Sequence, residues 1–420
     1  MTKRLYLFFA VLAAAALAVP SALARPDAKA ASAETGVTAK TIKLGGTFPL
    51  SGPASSYAPI PFGIKAYFSY VNARRGQDGK RGVYGRQIIW KFLDDAYNPA
   101  QAVQLQRQLV EQDNVFAIFG TLGTEPNLPV REYLNQVKVP HLFVSTGAST
   151  WGTEYTRYPW TTGWQPDYQA EGAIYGRHIR ANSPNAKIAI LFQNDDYGLD
   201  YVNGLRNGLA DKSSQIIAQQ GFEVTAPSVT SQLSALKASG ADTLMIFATP
   251  AKTIQTYAIL TRLSWKPDIY VNSVSATDTF MTLAVANAGA ATVNGSISTS
   301  YLKDPASPIW NNDAGMKLYK KIMAKYLPDR KATDGLYLYG MAKAHTMVQA
   351  LYNAGKNPTR ASIMRAARNL NFKSTANPFV LPGVETKTKG NDQFPISQMQ
   401  LIRFNNGGWT AIGKLINGRG

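Results

Sequence analysis

At 420 residues the chain is longer than a single hydrophobic core ordinarily serves, so two domains are expected. Its 45% hydrophobic and 11% aromatic content is that of a globular protein, and the absence of cysteine excludes disulfides and an N-terminal lipid anchor on a thiol. The formal charge of +18 is scattered, with only short basic pairs such as Arg74-Arg75 and Lys320-Lys321, which reads as a solvated basic surface and argues against a nucleic-acid partner.

Lys3 and Arg4 precede an apolar run from Leu5 to Val19, which ends in Ala22-Leu23-Ala24. The run is too short to span a bilayer, and with its flanks it reads as a secretory signal over residues 1–24, cleaved near Ala24. Residues 25–40, rich in Ala, Lys and Thr, read as a flexible leader. No later segment has the length and apolarity of a membrane helix, so a soluble, exported, periplasmic protein is expected.

From Thr41 strands and helices alternate. Ile42 to Phe48 is a strand ending in the turn Leu50-Ser51-Gly52-Pro53, and Ile60 to Ala73 is a helix. The strand Gln87 to Leu93, the helix Ala100 to Glu111, the strand Val115 to Phe119 and the helix Leu128 to Val137 follow. The strand His141 to Val144 then runs into a loop of small hydroxylated residues, Ser145 to Thr150, and a short apolar run, Tyr158 to Thr162, leads to Trp164. A second series begins with the helix Asp167 to Arg180. It continues with the strand Lys187 to Phe192, the helices Tyr197 to Leu209 and Gln232 to Ala238, the strand Thr243 to Ala248, the helix Thr253 to Leu263 and the strand Ile269 to Asn272. Such alternation implies parallel sheets covered on both faces. The segment NVFAIFGTLGT followed by VPHLFVSTGAST is echoed by ADTLMIFATPAKT followed by KPDIYVNSVSATD, which suggests that the two lobes are related. The strand Val293 to Ser300, the helices Ile309 to Lys325, Leu336 to Ala354 and Arg360 to Ala367, and a hairpin of Gln398 to Phe404 with Trp409 to Ile412 around Asn405-Asn406-Gly407-Gly408 complete the chain.

This order of elements, with LSGP after the first strand, DDAYNP after the second and NDDYG after the first strand of the second lobe, resembles the periplasmic binding proteins of the branched-chain amino acid type, the solute receptors of ABC importers. The resemblance implies the type I fold: an α/β protein of two doubly wound parallel-sheet lobes joined by three hinge crossings. It places lobe one at residues 41–161 and 301–375, and lobe two at 162–300 and 376–420. The implied partners are a small-molecule solute and the permease subunits with their cytoplasmic ATPases; a monomer without cofactor or metal is expected. A ligand-sensing module of a signalling system is the alternative, and the free receptor is preferred because the chain ends after a hairpin.

In open α/β sheets ligands sit beyond the carboxyl ends of the strands, and sites prefer domain interfaces. The candidate positions in lobe one are therefore Ser51, Tyr57, Leu122, Thr124, Thr146, Gly147 and Ser149. By resemblance Thr124 matches a hydroxyl ligand, and Gly147 with Ser149 matches the group holding a ligand carboxylate. In lobe two Tyr197 matches a tyrosine that closes on the ligand, while Asp195 and Asp196 read as helix N-terminal acids. Trp164 lies at the first crossing, where it lines the cleft or packs the hinge. Amino-acid receptors of this type use a lobe-two carboxylate and an aromatic residue to hold the ammonium. Here the first falls at Val274, between Ser273 and Ser275, and the second at Thr249 or Pro250. The ligand expected is thus a small carboxylic acid or amide, aromatic ones included, with an amino acid held by Asp278 or Asp195 as the alternative. No catalytic constellation appears: His141, His178 and His345 are isolated, and neither a nucleophile elbow nor a phosphate loop is present, so an enzyme is not expected.

Overall fold

The computed structural model describes residue 1, residues 34–372 and residues 376–418. The expected signal from residue 2 and the leader up to residue 33 lie outside the described residues. Residues 34–40 are not a free leader: Lys43 N donates to Gly36 O at 2.8 Å, and Val37 bridges to Ile42.

The first series comprises β1 (Thr41–Phe48), α1 (Pro59–Ala73), β2 (Gln87–Asp94), α2 (Pro99–Glu111), β3 (Ala117–Phe119), α3 (Leu128–Gln136), β4 (His141–Val144), α4 (Thr150–Thr153) and β5 (Thr161–Gly163). Its five strands form one sheet in the order β2-β1-β3-β4-β5, parallel throughout. The second series comprises α5 (Tyr168–Asn182), β6 (Ile188–Gln193), α6 (Asp196–Leu209), β7 (Ile216–Phe222), α7 (Thr230–Ala238), β8 (Thr243–Phe247), α8 (Pro250–Arg262), β9 (Asp268–Val271), α9 (Asp278–Ala288), α10 (Ala290–Val293) and β10 (Ile297–Ser300). Three helices follow, α11 (Ala314–Tyr326), α12 (Gly335–Ala354) and α13 (Arg360–Ala367), then the short strands β11 (Asn371–Phe372) and β12 (Thr386–Lys387) and the hairpin β13 (Gln398–Asn405) and β14 (Gly408–Asn417).

The second sheet runs β14-β13-β10-β9-β8-β6-β7. Its parallel part, read from β7, has the same order as the first sheet, and the echoed segments occupy matching places: β3 corresponds to β8 and β4 to β9. Each sheet therefore switches direction beside its first strand, β1 or β6, and a crevice opens there at the carboxyl ends. The hairpin adds antiparallel strands at the β10 edge, with Asn406 and Gly407 at positive φ in its turn.

α12 is the central helix of the first lobe and is buried on almost every face, from Leu336 to Tyr352. It packs with α1 and the first sheet in one apolar core. Phe379, Val380, Val384 and Ile396, expected in the second lobe, belong to this same core. Leu302 bridges to Val380 and β12 pairs with β11, so the returning chain is held against the first lobe until it enters β13. In the second lobe α5 and α6 lie unusually close because glycines face each other. A Cβ at Gly172 would meet Tyr201 O at 2.6 Å, and one at Gly208 would meet Ala173 O at 2.2 Å. That contact aligns the aromatic residues of both helices. Among the described residues no helix is long and apolar enough to cross a membrane.

Candidate ligand site

A cavity of about 210 Å³ lies where loops at the carboxyl ends of both sheets meet. The first lobe contributes Tyr57, Tyr97, Leu122, Thr124 and Ser145, with Leu336 and Tyr339 from α12. The second contributes Tyr197, Thr249, Ser273, Val274 and Asp278, and the connections between lobes add Gln165, Tyr168 and Tyr301 to Asp304. Six tyrosines thus face one small space. Burial raises the pKa of Tyr57, Tyr97, Tyr168, Tyr197, Tyr301 and Tyr339, so each is a neutral phenol that can donate or accept.

Several of these groups are already linked. Tyr339 OH donates to Gln165 Oε1 at 2.6 Å, and Gln165 Nε2 donates to Tyr168 OH at 2.9 Å. Thr124 and Thr146 share a hydroxyl hydrogen bond of 2.7 Å. Asn272 directs its amide nitrogen to the Ala248 and Ile246 carbonyls, 3.1 Å each, and its oxygen accepts from Tyr197 OH. Beneath Ser273 the buried carboxylate of Glu171 accepts from Ser273 N and Oγ at 2.7 Å each, from Tyr175 OH at 2.6 Å and from Tyr201 OH at 2.9 Å. Burial still holds the Glu171 pKa above its ordinary value despite these donors. Asp278, which also lines the cavity, is pushed up to about 6 by burial and by its neighbour Asp304. Lys303, also at the cavity, is neutralised by Asp313 at 2.8 Å.

Side-chain hydrogen bonds tie the lobes together. Tyr57 OH donates to Val274 O at 3.1 Å, and Ser149 donates from N and Oγ to Asp200, at 2.7 and 2.9 Å. The cleft is shut.

A family model described as periplasmic binding protein matches residues 41–408. The chain belongs to the periplasmic binding protein family. Among solved structures this binding protein is similar to a branched-chain amino acid ABC transporter protein from Thermus thermophilus with bound valine, at TM-score 0.78 and 17% identity over 91% of this chain and 97% of that one. It is similar also to a fatty acid ABC transporter substrate-binding protein from Thermomonospora curvata, at TM-score 0.71 and 20% identity over 92% and 94%. A leucine-specific-binding protein of Salmonella typhimurium is 22% identical over 188 residues, 44% of this chain and 48% of the relative. Leu/Ile/Val-binding protein homolog 7 of Brucella suis is 24% identical over 211 residues, 49% and 51%. The chain thus aligns with about half the length of these curated relatives. The leucine-binding-protein-like family and the type I fold read from the sequence hold.

In this periplasmic binding protein the cavity brings together Tyr57, Leu122, Thr124, Tyr197, Thr249 and Ser273 of the twelve residues singled out in the sequence. The other six do not line it, each for a local reason. Ser51 is exposed and donates its hydroxyl to Asp94 at 2.6 Å. Thr146 stands behind Thr124 and accepts from Ala148 N at 3.0 Å. Gly147 lies against the first crossing, where a Cβ would meet Pro166 O at 2.0 Å, so its small size serves packing. Ser149 holds Asp200. Trp164 is fully buried, donates to Thr346 Oγ1 at 3.1 Å and stacks edge-on to Tyr339, which places it in the hinge core. Ser275 donates to Ala248 O at 2.6 Å. Asp195 caps α6 through Gly198 N, as its position before a helix implies. Asp278 and Val274 both face the cavity.

Sequence reasoning passed over Tyr97, Gln165, Tyr168, Tyr301 and Tyr339, whereas Ser145 belongs to the hydroxylated loop already read as a wall of the cleft. Tyr301 directly follows β10, so the carboxyl-end rule already pointed to it. Tyr339 carried no such signal, because it sits in a helix that reads as core.

Proposed function

We propose that this binding protein is an exported, extracytoplasmic solute receptor that captures one small organic molecule between its lobes and delivers it to an ABC permease driven by cytoplasmic ATPases. It acts as a monomer without cofactor and performs no chemistry on its ligand. The observation that carries the reading is the cavity itself: it needs side chains from both lobes, so a ligand there is enclosed only when the lobes meet.

The ligand is a small carboxylic acid or amide, with an aromatic ring well suited to the tyrosine walls. Size supports this, since about 210 Å³ is only moderately more than the roughly 150 Å³ cavity known to take up benzene. Chemistry supports it too. The valine at position 274 gives the cavity no charge there, and Thr124 and Ser145 offer hydroxyls at the first-lobe end. A second reading, an amino acid, is favoured by one observation: Asp278 lines the cavity and, among the described residues, forms no ion pair. A thermal-shift screen of benzoates, short aliphatic acids, their amides and the common amino acids separates the two. At a hundred times its dissociation constant a ligand adds about 2.7 kcal/mol of stability. Stabilisation by acids or amides is expected; stabilisation by leucine, isoleucine or valine alone would replace the first reading with the second.

A further inference from the structure

The acid end of the cavity has a feature that the hydroxyl lining does not explain. Lys343, in the middle of α12, is completely buried. Its Nζ donates to Gly120 O at 2.8 Å and to Ser145 Oγ, and it lies over the rings of Tyr339, at 5.0 Å, and Phe48, at 5.7 Å. Among the described residues no carboxylate reaches it within ion-pair distance. The loop after β3 makes room for it: Gly120 has φ +66, and a Cβ there would stand 3.1 Å from Lys343 Cε. Of the groups facing it, Phe48 from β1, Gly120 after β3, Ser145 after β4 and Tyr339 from its own helix, only Tyr339 titrates. His345, two residues along α12, faces Tyr67 and Phe379 instead.

An ammonium in that setting is costly, because its desolvation is not repaid by an opposite charge, and a methionine of similar length would fill the space without the cost. Burial accordingly lowers the Lys343 pKa well below its ordinary value. Yet its contacts reach the ligand space. Ser145, one of its two hydrogen-bond partners, lines the cavity, as does Tyr339. The Ser145 hydroxyl now donates to Gly120 O at 2.9 Å while accepting from Lys343. Rotated toward the cavity, it can donate to an acceptor there, and Lys343 keeps Gly120 O. Asp278 and Asp304 also line the cavity, where they repel an anion, and Lys303 is already paired with Asp313.

We infer that Lys343 is a specificity-determining positioning residue: it supplies the counter-charge for a ligand carboxylate through Ser145, so that the receptor selects an acid over the corresponding neutral amide. The inference rests on the acid reading of the cavity and narrows it. The ammonium gains its missing opposite charge only when the carboxylate is seated, which couples ligand charge to the core of the first lobe.

The test measures two acid and amide pairs, benzoate with benzamide and isobutyrate with isobutyramide, by calorimetry and thermal shift on the wild type, Lys343→Met and Ser145→Ala. The wild type binds the acid more tightly than its amide, and Lys343→Met weakens the acid by roughly tenfold to a hundredfold, the range of a hydrogen bond to a charged group, with amide affinity nearly unchanged. Ser145→Ala keeps the ammonium in place and gives a smaller, acid-selective loss, which preserves the test if Lys343→Met does not fold. The wild-type preference for acid also fades as pH rises, since an unprotonated amine offers no counter-charge. Equal weakening of acid and amide in both variants, with a pH-independent preference, would make Lys343 a packing residue while leaving the acid receptor intact. Stabilisation by amino acids or amines with none by acids would overturn both.

Discussion

Asp200→Ala should open the ligand-free protein. Asp200 is on α6, is only 8% exposed, and accepts three hydrogen bonds, of which the two from Ser149 cross between lobes and the third, from Gln169 Nε2 at 2.7 Å, stays within the second. A hydrogen bond to a charged group contributes about 1.5–3 kcal/mol, but opening lets water replace both cross-lobe bonds, so the pair together is taken at the low end, about 2 kcal/mol. That shifts the closed-to-open ratio by ~30-fold. Small-angle scattering without ligand is the assay: the radius of gyration should rise in Asp200→Ala and, by less, in Ser149→Ala, which keeps the backbone donor. Thermal unfolding should change little, because neither side chain supports a lobe core. Affinity for any captured solute should fall by up to ~30-fold, the full figure applying when the unliganded wild type is mainly open. Identical scattering and affinity within twofold of wild type would refute the assignment of this contact as an inter-lobe clasp.

Glu171→Ala strips four donors of their acceptor at a fully enclosed site and should destabilise by about 3–5 kcal/mol in urea unfolding, and a loss under 1 kcal/mol would show that water replaces the carboxylate. His345 is held neutral by burial, down to about 4 from its ordinary 6.5. Between those values the unfolded chain binds a proton that the native chain does not, so His345 lowers stability as pH falls. His345→Phe should remove up to about 1.4 kcal/mol per pH unit of that slope, whereas Asp95 and Asp278, raised to about 6 by burial, act in the opposite direction in both proteins; an unchanged slope would mean that His345 is protonated in the folded state.

The periodic parts of the fold were legible in the sequence. Strands such as His141–Val144 are unbroken buried runs, and helices such as α2 announce themselves by Asn98 at the cap and Pro99 behind it. The elements passed over lack such marks. β7, IIAQQGF, is an edge strand with only its last residue buried, so its pattern is weak. α9 follows a loop that reads as ligand-binding, and its start depends on Thr277 accepting from Phe280 N. Half of the positions singled out line the cavity because the carboxyl-end rule is a property of the sheet. The rest do not, because a hydroxyl one or two residues along such a loop can turn either way: Thr124 faces the cavity and Thr146 stands behind it. Lys343 was missed for another reason. A lysine within LYLYGMAKAHTMVQALY looks like a solvent-facing break in an apolar helix, and only the tertiary structure reveals that this helix has no solvent face.

The position of Ser149 explains why the ligand contacts gather further inside. In the first lobe the loop after β4 carries, besides Thr146 and Thr150, which already bond Thr124 and Arg131, the hydroxyls of Ser145 at the strand end and Ser149 before α4. Asp200 from the opposite lobe takes the backbone and side-chain donors of Ser149, and a ligand carboxylate placed there would face a carboxylate already bound. Like charges in a partly buried site disfavour one another strongly. On the proposed acid reading, an anion would thereby be directed to Ser145 and Thr124, under the tyrosines and nearest the buried Lys343, where the cavity is about 210 Å³ and leaves room for little beyond one ring and its charged group. On that reading the same contact that closes the lobes would also move the anion-binding position inward and limit the size of the solute.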